Sequence, residues 1–252
     1  MEMLLLALAS LLAGFVDSIV GGGGLILLPA MFAIFPNAQP ASLFGLNKSA
    51  SVWGTSIAAI QYSRRVSMNW HALLPAALTG LVGSFVGAWA VTEVSADFLR
   101  KLLPGVLLAV LVYTLMKKEL GRHHAPRLTP SAERLAACTL GAVIGFYDGF
   151  FGPGTGSFFV FLFVRWLGYD FLHASAAAKI LNTGTNLAAL LLFSLKGHVW
   201  WHYALVLAIA NIAGSLVGTR LALRHGAGFV RGIFLVVVSA LILKTGYDAF
   251  LR

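Results

Sequence analysis

The chain has 252 residues, 59% of them hydrophobic and 11% charged, with a mean hydropathy of +0.86. A soluble domain carries roughly a quarter of its residues as Asp, Glu, Lys and Arg, so most of this chain's surface must face something other than water. The formal charge of +9 sits on Lys and Arg at the ends of apolar runs, where the positive-inside rule puts them, and is not a nucleic-acid surface. The single cysteine, Cys138, excludes an internal disulfide framework.

Taken in chain order, the apolar segments of the first half are 3–20, 24–35, 41–62, 70–91 and 98–116. A basic stretch with Pro126 and Pro130 follows, and then segments 134–151, 156–168, 172–195, 200–222 and 229–247. Continuous apolar runs such as Ala204–Ala210 and Ile233–Leu243 mark helices; barrel strands would alternate. Leu4–Ala13 has the length of a signal-peptide core, but only Glu2 precedes it and no basic residue does, so it reads as a helix.

Shifting the sequence by 131 residues superposes the halves without a gap. Asp17 then falls on Asp148, Lys48 on Lys179, Trp70-His71 on Trp201-His202, and Gly83-xxx-Gly87 on Gly214-xxx-Gly218. Shared hydrophobicity would not align Asp, Lys and Trp-His at one offset. The predicted fold is all-α: a polytopic transmembrane helical protein of two inverted-topology repeats, with eight to ten transmembrane or half-membrane helices interrupted by glycine-rich breaks. Its parts are a first repeat (1–121), a basic linker (122–133) and a second repeat (134–252). With an odd number of crossings per half, Lys and Arg divide 11 against 5 between the two sides, which makes the linker cytoplasmic and the termini periplasmic. The short second segment of each half is either a span or one arm of a re-entrant hairpin.

The glycine clusters Gly21–Gly24 and Gly152-Pro153-Gly154-Thr155-Gly156 interrupt apolar sequence. Irregular backbone at membrane depth survives only where protein or a water-filled cavity satisfies it, and a helix restarting there offers N–H groups and a positive dipole end. Gly22, Gly23, Gly24, Gly154, Thr155 and Gly156 are therefore candidate ligands for an anion, with close helix packing as the alternative. Lys48 and Lys179 lie deep in apolar segments among Asn47, Asn182, Thr183 and Asn186. These six are candidate substrate ligands; the competing reading for the lysines is a structural ion pair with Asp17 or Asp148. The two aspartates, in turn, either couple transport to protons or neutralise the lysines and satisfy the broken helices. The Trp-His pairs read as interfacial anchors and the spaced glycines as packing sites. His123 and His124 read as part of a solvated loop. No nucleophile set, metal spacing or phosphate loop stands out, so neither an enzyme activity nor a metal or other cofactor is expected.

The run Gly14-Phe15-Val16-Asp17-Ser18-Ile19-Val20-Gly21-Gly22-Gly23-Gly24-Leu25, followed by Asn47-Lys48, resembles the opening motif of the TauE/SafE family of sulfite and sulfonate exporters. Residues Gly145–Ser157, followed by Ala178-Lys179-Ile180-Leu181-Asn182, resemble that family's second motif. The resemblance covers nearly the whole chain and is greatest to the YfcA-like branch. It implies transport of small sulfur-containing or carboxylate anions across the bacterial inner membrane. The expected partners are the bilayer and the substrate anion, with association into a homo-oligomer left open by the sequence. The expected function is secondary transport driven by the proton gradient. An anion channel and a carrier of a non-sulfur metabolite are the alternatives.

Overall fold

The computed structural model describes residues 2–92 and 123–250, with side chains described through 237 and at 239. The expected segment at 98–116 lies outside them. The described residues form α1 (Glu2–Val20), α2 (Gly24–Ile34), α3 (Pro40–Ser63), α4 (Trp70–Val91), α5 (Pro130–Phe150), α6 (Thr155–Leu162) continued by a π-helical turn (Phe163–Leu167), α7 (Phe171–Leu195) and α8 (Trp201–Phe250). No strand occurs among them. The helix starts are locally encoded. Pro40 and Pro130 occupy first-turn positions of α3 and α5, where no amide hydrogen is needed. Asp170 caps α7, its Oδ1 accepting the His173 amide at 2.7 Å. The last helix is broken at Gly226 (φ 72°, ψ −165°), between the predicted segments 200–222 and 229–247.

Among the described residues, four helices are long and apolar enough to cross a membrane: α1, α4, α7 and α8 as far as Val237. α2 and the α6 extension are too short, at about 16 and 20 Å of helix against a ~30 Å hydrocarbon core. Contacts settle how these short helices run. α1 lies parallel to α8, with Ser10 Oγ donating to the Leu207 carbonyl and Gly218 set against Phe15. The far end of α2 returns to the start of α8, where the Phe35 ring meets those of Trp200 and Tyr203 at 5.1 and 5.4 Å. The α1–α2 hairpin therefore enters and leaves on one face. α5 runs parallel to α4 in the same way, Gly141 against Ala76 and Gly149 against Ser84. Its partner α6 ends beside the linker, where the Ala125 amide donates to the Gly168 carbonyl. That hairpin opens on the opposite face, called here the linker face. Both short segments re-enter, and α3, α4, α7 and α8 connect the two faces.

Apolar burial gives little drive for helix association in lipid, so close backbone approach and interhelical hydrogen bonds must supply it. A Cβ at Gly145 would lie 2.4 Å from the Gly80 carbonyl oxygen, and one at Gly214 only 1.9 Å from that of Leu11. Each of these contacts joins the first helix of one half to the fourth helix of the other. Hydrogen bonds recur at the 131-residue offset as well. Ser84 Oγ donates to the Thr185 carbonyl at 2.7 Å, and Ser215 Oγ to the Gly54 carbonyl at 2.6 Å. Gly145→Leu is expected to force α4 and α5 apart and abolish a monodisperse, thermally cooperative protein in detergent. Gly228→Leu, at a position with open space around it, should leave the melting temperature unchanged; equal melting of both variants would refute close packing at Gly145.

Candidate substrate site

The hairpin tips meet inside the bundle. Gly21 and Gly152, one offset apart, turn the chain at φ +78° and +87°, a region β-carbons disfavour. Gly21 packs directly on Gly156, where an added Cβ would come within 2.3 Å of the Gly156 backbone. Ser157 Oγ reaches the carbonyls of Val20 and Gly21 at 3.3 Å each. α2 starts just after Gly23 and α6 just after Gly154, so two helix N-termini begin at this crossing.

α3 and α7 bring the polar side chains. Lys48 and Lys179 are each the ninth residue of their helix, about 12 Å along it from opposite faces. On α7, Lys179, Asn182 and Asn186 recur at helical spacing and line one face. The Lys48 ammonium lies 2.7 Å from Asp148 Oδ2 and donates to Asn186 Oδ1 at 3.0 Å. The Lys179 ammonium donates to Asp17 Oδ2 at 3.0 Å. Each lysine is thus neutralised by the aspartate of the other half. The pairs are not equally enclosed: side-chain exposure is 4% and 5% for Lys48 and Asp148, but 0% and 19% for Lys179 and Asp17. Asp17 also accepts the Gly23 amide at 3.4 Å, tying its carboxylate to the start of α2. Both lysines therefore sit in ion pairs, the alternative weighed against a ligand role.

The other sequence candidates divide cleanly. Asn47 is buried beside Gly24, and Asn182 beside Gly156. Their Oδ1 atoms, which are acceptors, have no hydrogen-bond partner among the described residues. Gly22, Gly154 and Thr155 line the turns themselves, and the Thr155 hydroxyl donates to the Gly152 carbonyl at 2.7 Å. Thr183 stands apart, its hydroxyl spent on the Lys179 carbonyl of its own helix at 2.8 Å. Two residues at the site were not among the sequence candidates. Thr55 Oγ1 accepts from Asn186 Nδ2 at 3.3 Å, and Gly152 lies against the Lys48 ammonium. The repeat offset carried the signal for Thr55, since it places that residue on Asn186.

The model of the family described as sulfite exporter TauE/SafE matches residues 6–245. The chain belongs to the TauE/SafE family. Among curated relatives, this TauE/SafE chain is 39% identical over 241 residues to a "Probable membrane transporter protein ORF9" of Sinorhizobium, spanning 95% of this chain and 90% of that one. It is 38% identical over 242 residues to the "Probable membrane transporter protein YfcA" of Escherichia coli K12, covering 95% and 88%. A Haemophilus influenzae "Probable membrane transporter protein" is 31% identical over 240 residues, covering 94% and 91%. No solved structure matches. Family membership and the apolar helices make this a multi-pass membrane transporter.

Removing one member of a buried ion pair strands the other and costs about 3–5 kcal/mol, whereas apolar replacement of both is often neutral. Lys48→Met should therefore lower the melting temperature sharply, and Lys48→Met/Asp148→Leu should recover most of the loss. A double variant as unstable as the single would show that the pair does not set stability.

Proposed function

We propose that this chain is a proton-linked secondary transporter of small anions: sulfite, sulfonates and related organosulfur or carboxylate anions. The observation that carries the reading is the Lys179–Asp17 pair, a fully buried ammonium held by a carboxylate that retains 19% exposure. Protonating Asp17 removes the counter-charge of Lys179. A buried ammonium left alone is costly, so an anion entering at that moment restores neutrality. Proton and anion binding are then linked at one site: the carboxylate takes the proton and the lysine takes the anion. The start of α2, whose Gly23 amide already reaches Asp17, adds N–H groups and the positive end of a helix dipole. Asn47 and Asn182 lie beside the same turns. Lys48 and Asp148, enclosed and further tied through Asn186, form the more rigid half of the site.

The re-entrant hairpins opening on opposite faces support alternating access through movement of each hairpin against α3, α4, α7 and α8, in an inverted-repeat arrangement. Arg64, Arg65, Arg127, Arg134 and Arg165 belong to the linker face, which the positive-inside rule makes cytoplasmic in a bacterial inner membrane.

The test is flux into proteoliposomes across sulfite, thiosulfate, sulfoacetate, sulfate and small carboxylates, with and without a proton gradient. Lys179→Ala should lower flux of the accepted anions by about a hundredfold, the scale of one lost charge-assisted contact of about 3 kcal/mol. Asp17→Asn should keep anion counterflow and lose gradient-driven accumulation. Undiminished transport by folded Lys48→Ala and Lys179→Ala proteins would remove the lysines from the site, and intact accumulation in Asp17→Asn would remove the proton role.

A further inference from the structure

On the linker face, away from the glycine crossing, a recess of about 290 Å³ opens between the linker, the α3–α4 loop and the start of α7. His124, Glu133, Tyr169 and His173 line it, with Ser67 and Asn69 at its edge; none of its lining residues is Lys or Arg. That composition is unexpected on the side of the chain that gathers Arg64, Arg65, Arg127 and Arg134. Glu133 is 6% exposed, its carboxylate receiving the Tyr169 hydroxyl and no cation among the described ion pairs. Asp170 adds a second carboxylate. Its Oδ2 lies 2.9 Å from His173 Nδ1, and its pKa, raised by burial, is brought below its ordinary value by the hydrogen bonds from His173. Glu133 thus lines the recess, and Asp170 stands beside it against His173.

Those imidazoles stack face to face, with centroids 3.9 Å apart and planes 23° from parallel. Burial and the neighbouring His173 hold the His124 pKa below its ordinary value, against the opposing pull of Asp170 and Glu133. One ligand atom from each of His124, Asp170 and His173 falls within 4.8 Å of the other two. Zinc-type ligands sit about 2.0–2.2 Å from their ion, so binding closes this triangle by roughly 1 Å and tilts His124 out of the stack. His124 can make that move because it lies on irregular backbone and is exposed. The opposite face gives an internal control. Ser67 to His173 and Ser42 to His198 are matching 3.4 Å contacts one offset apart. Around His198, the positions matching Asp170 and Tyr169 are Gln39 and Ala38, so the second carboxylate is missing there.

We propose that His124, Asp170 and His173 form a site for one divalent transition-metal ion, with the Glu133 carboxylate completing charge neutrality. The ion clips the inter-repeat linker to the start of α7. Imidazole and carboxylate together suit zinc, nickel or cobalt over magnesium or calcium.

The test titrates Co²⁺ into the detergent-purified full chain, made without a polyhistidine tag, and follows visible d–d absorption. One saturable equivalent is expected, displaced by Zn²⁺. Affinity should fall at least about tenfold in His124→Ala and in His173→Ala, and stay unchanged in His198→Ala. His124 lies outside every helix, so its variant reports on the site even if His173→Ala misfolds. Absence of saturable binding, or equal affinity in His124→Ala, would overturn the proposal.

Discussion

An ammonium group about 12 Å down an apolar helix has no water to hold its charge, and the protein must provide a counter-ion at that depth. Here the counter-ion always comes from the other half: Asp148 for Lys48 and Asp17 for Lys179. Much of the architecture follows from that exchange. For Asp17 to reach α7 and Asp148 to reach α3, the first helix of each half must run deep beside the other half's helices and then turn back. The turns fall at Gly21 and Gly152, where a β-carbon would be strained, and the two tips can touch because Gly156 has no side chain to keep Gly21 away. The small-residue seams of α4 with α5 and α1 with α8 hold the deep helices in that position.

In the proposed function, the same constraint links protons and anions at the centre. Two positive and two negative groups balance when all are ionised, and anything that discharges one carboxylate leaves a deficit that an anion can fill. The two pairs are unequally enclosed. Lys48–Asp148 is sealed and braced by Asn186 and Thr55, whereas Lys179–Asp17 has its carboxylate partly open and tied to the start of α2. In the proposed cycle, a change at Asp17 passes to a hairpin that opens on one face only, through the Gly23 amide. The recess at His124 and His173 lies elsewhere, on the linker face.

The sequence by itself determined the membrane class and the positions of the described helices, because these depend on composition and periodicity. Segments 24–35 and 156–168 were legible as short helices after glycine breaks, and Asp17, Lys48, Asp148 and Lys179 as the buried charges, since no apolar run carries such residues without cause. The repeat offset also marked which residues correspond. What it left open was pairing. Asp17 could neutralise either lysine as far as spacing shows, and only the crossing of the hairpins assigns it to Lys179. Whether the short helices cross or return was equally undecided, because length excludes a full span without saying which face the chain goes back to; the contact of Phe35 with Trp200 decides it. Thr183 looked equivalent to Asn182, and only the side-chain direction shows it bonded to its own helix. His124, Asp170 and His173 carry no common spacing, and they meet because the linker docks on Gly168 by backbone hydrogen bonds, an interaction that leaves no mark in side-chain pattern.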